Sequence, residues 1–110
     1  MSESTEARFA EFEALGKEWA VAKAQHGALE EWKKIVLARE MKLAEARGAT
    51  SAAAQERDAR ASNTYAEAVD AVHAADEKAL ALGMKIKSLE MKFEHWRTVQ
   101  ATRRAEMNLR

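Results

Sequence analysis

The fold is decided by the stretch TYAEAVDAVHAADEKALALGMKIKSLEMKFEHW, residues 64–96. Its apolar residues recur in alternating steps of three and four, which is the spacing of a heptad seam on one face of an α-helix. The seam positions are Tyr65, Ala68, Val72, Ala75, Ala79, Leu82, Ile86, Leu89, Phe93 and Trp96. With Thr64 and Glu67 as a capping box at its start, the pattern predicts one helix over about residues 64–108. Gly83 lies inside this helix and is expected to weaken it locally by about 1 kcal/mol relative to Ala.

The first half of the chain predicts a second long helix, over about residues 5–47, with a less regular apolar pattern. Gly16 and Gly27 interrupt this pattern, and each marks either a bend or a place where a neighbouring helix approaches closely. Gly48 directly after Arg47 is typical of a helix C-terminus, with glycine just beyond the last turn and a cation within it. Residues 48–63 then form a connector that holds a short helix over about residues 52–60.

Composition agrees with an all-α fold in a single domain covering residues 1–110. The chain has 25 alanines, no proline and only four glycines, which is typical of long helices or coiled coils. Net charge is −4 for residues 1–31, +3 for 32–47, −3 for 48–83 and +4 for 84–110. An antiparallel hairpin places blocks of opposite sign side by side, so we predict two long antiparallel helices joined by the short helical connector.

Several classes of protein are disfavoured by the residues present. The chain has no cysteine, no long apolar run that would span a membrane and no apolar segment near residue 1 that would form a secretory signal. The adjacent carboxylates of Glu30 and Glu31 point about 100° apart on a helix and do not converge for acid–base chemistry. No two histidines have metal-binding helical spacing. We therefore expect no enzyme, no cofactor and no metal.

A lone pair of helices offers too little interior for three Trp, three Phe and a seam of this length. We therefore predict self-association into a helical bundle or ring. Burial is the expected role of the seam tryptophan. The residues assigned to the core or to the oligomer seam are Trp19, Leu29, Trp32, Val36, Val72, Leu82, Ile86, Leu89, Phe93 and Trp96.

Two basic stretches are the candidate functional residues. They flank tryptophans, and an aromatic ring beside cations can stack an unpaired base while the cations hold phosphates. The other interpretation is that they form salt bridges between helices. The first stretch is Lys33, Lys34, Arg39, Lys42 and Arg47, and the second is Lys85, Lys87, Lys92, Arg97, Arg103, Arg104 and Arg110. The residues assigned to nucleic-acid binding are all five of the first stretch and Lys92, Arg97, Arg103 and Arg104 of the second.

The order of these features resembles small helical proteins of tailed phages, including ones related to the UvsY-type recombination mediators. The resemblance covers roughly residues 15–108. Its best markers are SAAAQER, residues 51–57, and WRTVQATRR, residues 96–104. It implies a homo-oligomer, often ring-like, that binds single-stranded DNA in the cytoplasm of a bacterial host cell. Such a protein helps a RecA-type recombinase load where a single-strand-binding protein already sits.

The resemblance also implies where DNA is contacted, namely at the basic end of the first long helix. The matching residues are Arg39, Lys42 and Arg47, with Lys33 and Lys34 as weaker matches. The expected function is thus a non-enzymatic accessory of recombination or replication that binds single-stranded DNA. The alternative is a coiled-coil protein-interaction module, such as a phage inhibitor of a host protein or an assembly factor, without nucleic-acid binding.

Overall fold

The computed structural model describes residues 3–109, with side chains from residue 4 onward, and this part of the chain contains no β-strand. It forms three helices: α1 (Glu3–Ala46), α2 (Ala52–Arg60) and α3 (Asn63–Asn108). Helices α1 and α3 are antiparallel and pack against each other, which confirms the predicted all-α fold of two long helices with a helical connector. Their bounds differ from the predicted ones by no more than two residues. Assembly of this hairpin into a bundle or ring stays a prediction.

Helix α1 ends at the glycine that the sequence indicated. Gly48 has a φ of 109°, which L-residues with a side chain rarely adopt. The N–H of Ala49 donates to the carbonyl of Ala44 (3.0 Å), and the N–H of Gly48 donates to that of Glu45 (3.1 Å). This pair of bonds is a Schellman motif, and it satisfies carbonyls that the end of the helix leaves unpaired. Helix α2 then begins behind Ser51, whose Oγ accepts from the backbone N–H three residues later at 3.1 Å.

Helix α3 is capped by Ser62 rather than by the predicted Thr64–Glu67 capping box. The Oγ of Ser62 accepts from the N–H of Tyr65 at 3.1 Å and donates to the carbonyl of Ala59 at 2.8 Å. One hydroxyl therefore serves the end of α2 and the start of α3 together. Thr64 already lies in the first turn of α3, so the capping-box prediction is wrong.

The chain divides into two compact units. The central unit is Ala20–Ala79, and the terminal unit combines the chain up to Trp19 with the chain from Leu80. In the central unit, α1 packs against α2 and α3 through small side chains. Its buried residues are Ala22, Val36, Ala44, Ala59, Ala68, Val72 and Ala79. His26 Nε2 lies 3.8 Å from Asp76 Oδ1 and links α1 to α3 within this unit.

The terminal unit packs larger side chains. Phe93 of α3 stacks on Phe9 of α1, with ring centroids 4.8 Å apart, and meets the edge of Phe12 at 5.7 Å. Both distances lie in the range of favourable aromatic pairs. Leu82 and Leu89 of α3 are buried in the same unit. The terminal unit is thus held by aromatic and leucine contacts, and the central unit mainly by alanines.

One glycine is explained by close packing, and it is Gly83. A Cβ added there would lie 3.3 Å from Nε1 of Trp19, so the indole of α1 rests over the backbone of α3 inside the terminal unit. Gly16 and Gly27 have no such neighbour within 4 Å, and α1 runs through both as unbroken helix. Close helix approach, one of the two interpretations of these glycines in α1, is therefore wrong for them.

Candidate nucleic-acid interface

The first basic stretch lies in the central unit and contains a stacked aromatic–cation pair. The guanidinium carbon of Arg39 lies 5.1 Å from the ring centroid of Trp32. The two residues are seven apart on α1, which brings them to the same helix face two turns apart. Trp32 is 43% exposed, so this face of α1 presents an indole and a guanidinium together to solvent. Such contacts contribute about 0.5–1 kcal/mol at exposed sites.

The other cations of this stretch divide into paired and unpaired groups. Lys33 Nζ lies 3.4 Å from Glu30 Oε2, and Lys34 Nζ lies 3.2 Å from Glu31 Oε1. Both pairs are spaced i, i+3 on α1, and they leave less charge available to a ligand. Lys42 is exposed in the last turns of α1, and it forms no ion pair within residues 4–109.

The second basic stretch lies in the terminal unit and is only partly assembled into one surface. Lys92, Arg103 and Trp96 line an open groove of about 780 Å³, and Trp96 is 39% exposed. Arg97 instead bonds to Glu94 one turn earlier on α3 and does not line this groove. Arg104 is exposed and also lies outside the groove lining.

The remaining groove residues were not among the predicted site residues. Met84, Met91 and Val99 supply apolar surface, and Arg8 adds a cation from α1. Two methionines seven residues apart on a helix form a stripe, which is the signal that would have indicated this surface. We call the surface the terminal groove, and its complete lining is Arg8, Met84, Lys87, Ser88, Met91, Lys92, His95, Trp96, Val99, Gln100 and Arg103.

Within residues 4–109 of a single chain, the candidate cations form no ion pair between the two long helices, and salt bridges to a helix of a second copy stay a prediction. Among the described residues, Lys33, Lys34 and Arg97 each pair with a glutamate three residues earlier on the same helix. Arg39 contacts an aromatic ring instead. The candidate cations therefore either contact a residue of their own helix or face solvent.

The predicted seam residues separate into buried and exposed groups. Val36, Val72, Leu82 and Leu89 are buried, and Leu29, Ile86 and Phe93 are half-buried. The three tryptophans keep more than a third of their surface exposed. Burial of Trp96 by the seam is thus not achieved within the single chain, because the apolar face is wider than the contact between α1 and α3.

Arg60, the last residue of α2, forms a cluster with Glu56 and Tyr65 that has a structural role. Arg60 donates through Nη2 and Nε to Glu56 Oε1, at 2.8 and 3.1 Å, and its guanidinium carbon lies 5.9 Å from the ring centroid of Tyr65. The hydrogen bond with Glu56, followed by the charge interactions with Tyr65 and Glu56, raises the pKa of Arg60 above its ordinary value. Arginine is charged at ordinary pH with or without this increase in its pKa. The cluster therefore holds α2 against the start of α3 and does not act as a pH switch.

The part of the chain that the structure describes has no buried polar or charged residue and no group of three His, Asp or Glu side chains placed to hold a metal ion. No helix in that part is long and apolar enough to cross a membrane. The class defined by fold and surface is an antiparallel helical hairpin with exposed tryptophan–cation surfaces. No family model, curated protein or solved structure matches the chain.

Proposed function

We propose that this protein is a non-enzymatic accessory protein that binds single-stranded DNA through the exposed face of α1 in the central unit. The observation that carries the proposal is the exposed Trp32 ring with the Arg39 guanidinium over it at 5.1 Å. An accessible indole face can stack an unpaired base, and an adjacent guanidinium can bind the phosphate beside it. Duplex DNA keeps its bases stacked, so this arrangement favours a single strand.

The cations that follow along α1 extend this surface. Lys42 lies ten residues beyond Trp32, which is about 15 Å along a helix with a rise of 1.5 Å per residue. Arg47 follows directly after Ala46, the last residue of α1, and so lies just beyond the last turn in which it was predicted. Cations at this spacing hold the phosphate backbone and read no base sequence. The strand is therefore expected to run along α1 from Trp32 towards the connector.

Self-association is part of this proposal because one chain offers few contacts. The chain has no net charge, so its attraction for DNA comes from local surfaces. Several copies in one assembly engage one strand together, and effective concentration then multiplies weak individual contacts. An assembly that holds several strand segments would present them to a RecA-type recombinase on DNA that a single-strand-binding protein also occupies.

The test is fluorescence anisotropy of a labelled, mixed-sequence single-stranded oligonucleotide across a salt series. Each phosphate contact contributes about −0.7 to the slope of log K against log salt for single strands. Lys42→Glu with Arg47→Glu should weaken binding and make this slope shallower by about 1.4. Trp32→Ala should weaken binding and leave the slope nearly unchanged, because stacking does not release counterions.

The matched control reverses two other exposed cations of the central unit, Arg57 and Lys78, and changes the net charge by the same amount. If this control weakens DNA binding as much as the Lys42 and Arg47 variant does, the proposed surface is wrong. Failure of the wild-type protein to bind the oligonucleotide at low salt would overturn DNA binding altogether.

A second candidate function is a protein-interaction module without nucleic-acid binding. The observation favouring it is the amount of large apolar surface left open in both units. In the central unit the exposed side chains include Val21, Trp32, Ile35 and Leu43, and in the terminal unit they include Leu80, Met84, Met91 and Trp96. Met84, Met91 and Trp96 lie together in the terminal groove, and contiguous apolar surface typically marks binding to another protein. Complexes formed through it should respond to salt much less than DNA binding does.

A further inference from the structure

The terminal groove combines apolar side chains with charged side chains of one sign. Met84, Met91 and Val99 form much of its apolar lining, with Trp96 beside them. Met84 and Met91 are 69% and 71% exposed, so their thioethers are open to solvent within the single chain. Methionine is flexible and polarisable, and it is over-used on surfaces that receive helices of varied sequence.

The charged residues of the groove are all cationic. Arg8 of α1 and Lys87, Lys92 and Arg103 of α3 line it, and no aspartate or glutamate does. None of these four cations forms an ion pair with any residue of the described range 4–109. Their charges are therefore available to a ligand rather than neutralised within the chain.

We propose that the terminal groove binds an amphipathic helix of a partner protein whose apolar stripe is flanked by acidic residues. This inference rests on the protein-interaction candidate above and does not depend on DNA binding in the central unit. An apolar helix face laid into a hydrophobic groove is a common mode of peptide recognition, with anchors at i, i+3, i+4 and i+7. The groove follows α3 from Met84 to Arg103, about 29 Å at 1.5 Å per residue, which accommodates about five helical turns.

The charge pattern argues against the basic face of α1 from a second copy as the occupant. The exposed apolar side chains of α1 in the central unit, such as Ile35 and Leu43, lie among the cations Arg39 and Lys42. Docking that face into the terminal groove would bring cations against the groove cations, and like charges across an interface oppose binding. An acidic partner helix gives the opposite sign at the same positions.

The apolar lining favours a helix over single-stranded DNA as the occupant. Trp96 with Lys92 and Arg103 offers a strand the same combination of ring and cation as Trp32 and Arg39 do in the central unit, so the distinction comes from the rest of the lining. The groove offers one large ring, Trp96, and its remaining apolar surface comes from methionine and valine. These aliphatic groups match leucine-type anchors of a helix better than they match base faces.

The experiment uses the full-length protein and three fluorescein-labelled probes. The first is an 18-residue synthetic helix with leucines at i, i+4, i+7 and i+11 and glutamates beside them. The second has lysines in place of those glutamates, and the third is a single-stranded oligonucleotide. Anisotropy should show binding of the acidic peptide and at least about tenfold weaker binding of the basic peptide.

Three variants locate the site. Lys87→Glu with Lys92→Glu cancels the summed charge of the four groove cations and should weaken binding of the acidic peptide at least about tenfold. Met91→Glu should do the same, and its high exposure leaves the fold intact, which circular dichroism at 222 nm verifies. The matched control is Lys85→Glu with Arg104→Glu, which changes the net charge equally on the same helix outside the groove, and it should bind the acidic peptide normally.

Several outcomes would overturn the proposal. They are equal binding of the two peptides, equal loss in the control variant, or no binding of the acidic peptide. If Met91→Glu changes the oligomeric state in sedimentation velocity and has no effect on the peptide, a second copy fills the groove. If it abolishes oligonucleotide binding alone, DNA fills it. Trp32→Ala should leave peptide binding unchanged, which separates this inference from DNA binding in the central unit.

Discussion

The contact between Trp19 and Gly83 predicts an unusual response to a glycine-to-alanine exchange. Alanine in a helix interior is ordinarily more stable than glycine by about 1 kcal/mol. At Gly27 the added methyl meets nothing within 4 Å, so Gly27→Ala should gain about 0.5–1 kcal/mol of unfolding free energy. At Gly83 the methyl would stand 3.3 Å from Nε1 of Trp19, which is closer than ordinary contact. The indole, which is 37% exposed, must turn aside.

The indole must give way by a few tenths of an ångström. Overpacking of this kind offsets part of the gain, so Gly83→Ala should stabilise the chain less than Gly27→Ala does. In a Trp19→Ala background the obstruction is gone, and Gly83→Ala should recover the full gain of about 1 kcal/mol. The expected coupling energy of this double-mutant cycle is therefore a fraction of that gain, on the order of 0.5 kcal/mol.

The assay is urea unfolding followed by circular dichroism at 222 nm, with every variant at one protein concentration because self-association adds to stability. The reasoning is refuted if Gly83→Ala stabilises the wild-type chain as much as Gly27→Ala does. It is equally refuted if the Trp19→Ala background makes no difference to the effect at Gly83.

Four other predictions use the same kinds of measurement. Gly48→Ala should lower unfolding free energy by about 1–2 kcal/mol because its φ of 109° is strained for an L-residue, and an unchanged urea midpoint would contradict this. Ser62→Ala should lower the unfolding free energy by about 1 kcal/mol, whereas Thr64→Ala should leave it unchanged. A larger loss for Thr64→Ala would show that Thr64 caps the helix after all. Leu89→Ala should cost about 2–5 kcal/mol, against less than about 0.5 kcal/mol for the exposed Met91→Ala, and equal losses would show that Leu89 is not in the core. Light scattering at micromolar concentration should detect an oligomer, and a folded monomer would disprove self-association.

The helices could be predicted because their signals are local. A seam in steps of three and four, an absence of proline and a glycine after a cation each act within a few residues, and together they predicted α1, α2 and α3 nearly to their ends. The start of α3 was misplaced because Thr64 and Ser62 are both good caps in sequence. The choice between them depends on the end of α2, since the Ser62 hydroxyl also reaches the carbonyl of Ala59 at 2.8 Å.

The candidate surfaces depended on information that spacing alone does not contain. A seven-residue interval places Trp32 and Arg39 on one face, yet their contact also requires that the guanidinium turn to the ring rather than to a nearby glutamate. Lys33 and Lys34, by contrast, form ion pairs with glutamates of the same helix. The terminal groove needed Arg8 of α1 beside the methionines of α3, a pairing of distant residues that no local pattern reveals.

The alanine content connects the fold to the proposed functions. Five of the nine buried core residues are alanines, and none of the described side chains is both large and fully buried. Small residues at a helix contact permit close approach of the helices, but they provide little apolar area, and stabilisation scales with the area removed from water. Several larger side chains, including Trp32, Trp96 and the methionines of the terminal groove, stay exposed. A chain selected only for a stable hairpin would gain stability from large apolar side chains in the buried positions and alanines in the exposed ones. The observed arrangement therefore favours a protein that uses its exposed apolar surface to bind another molecule.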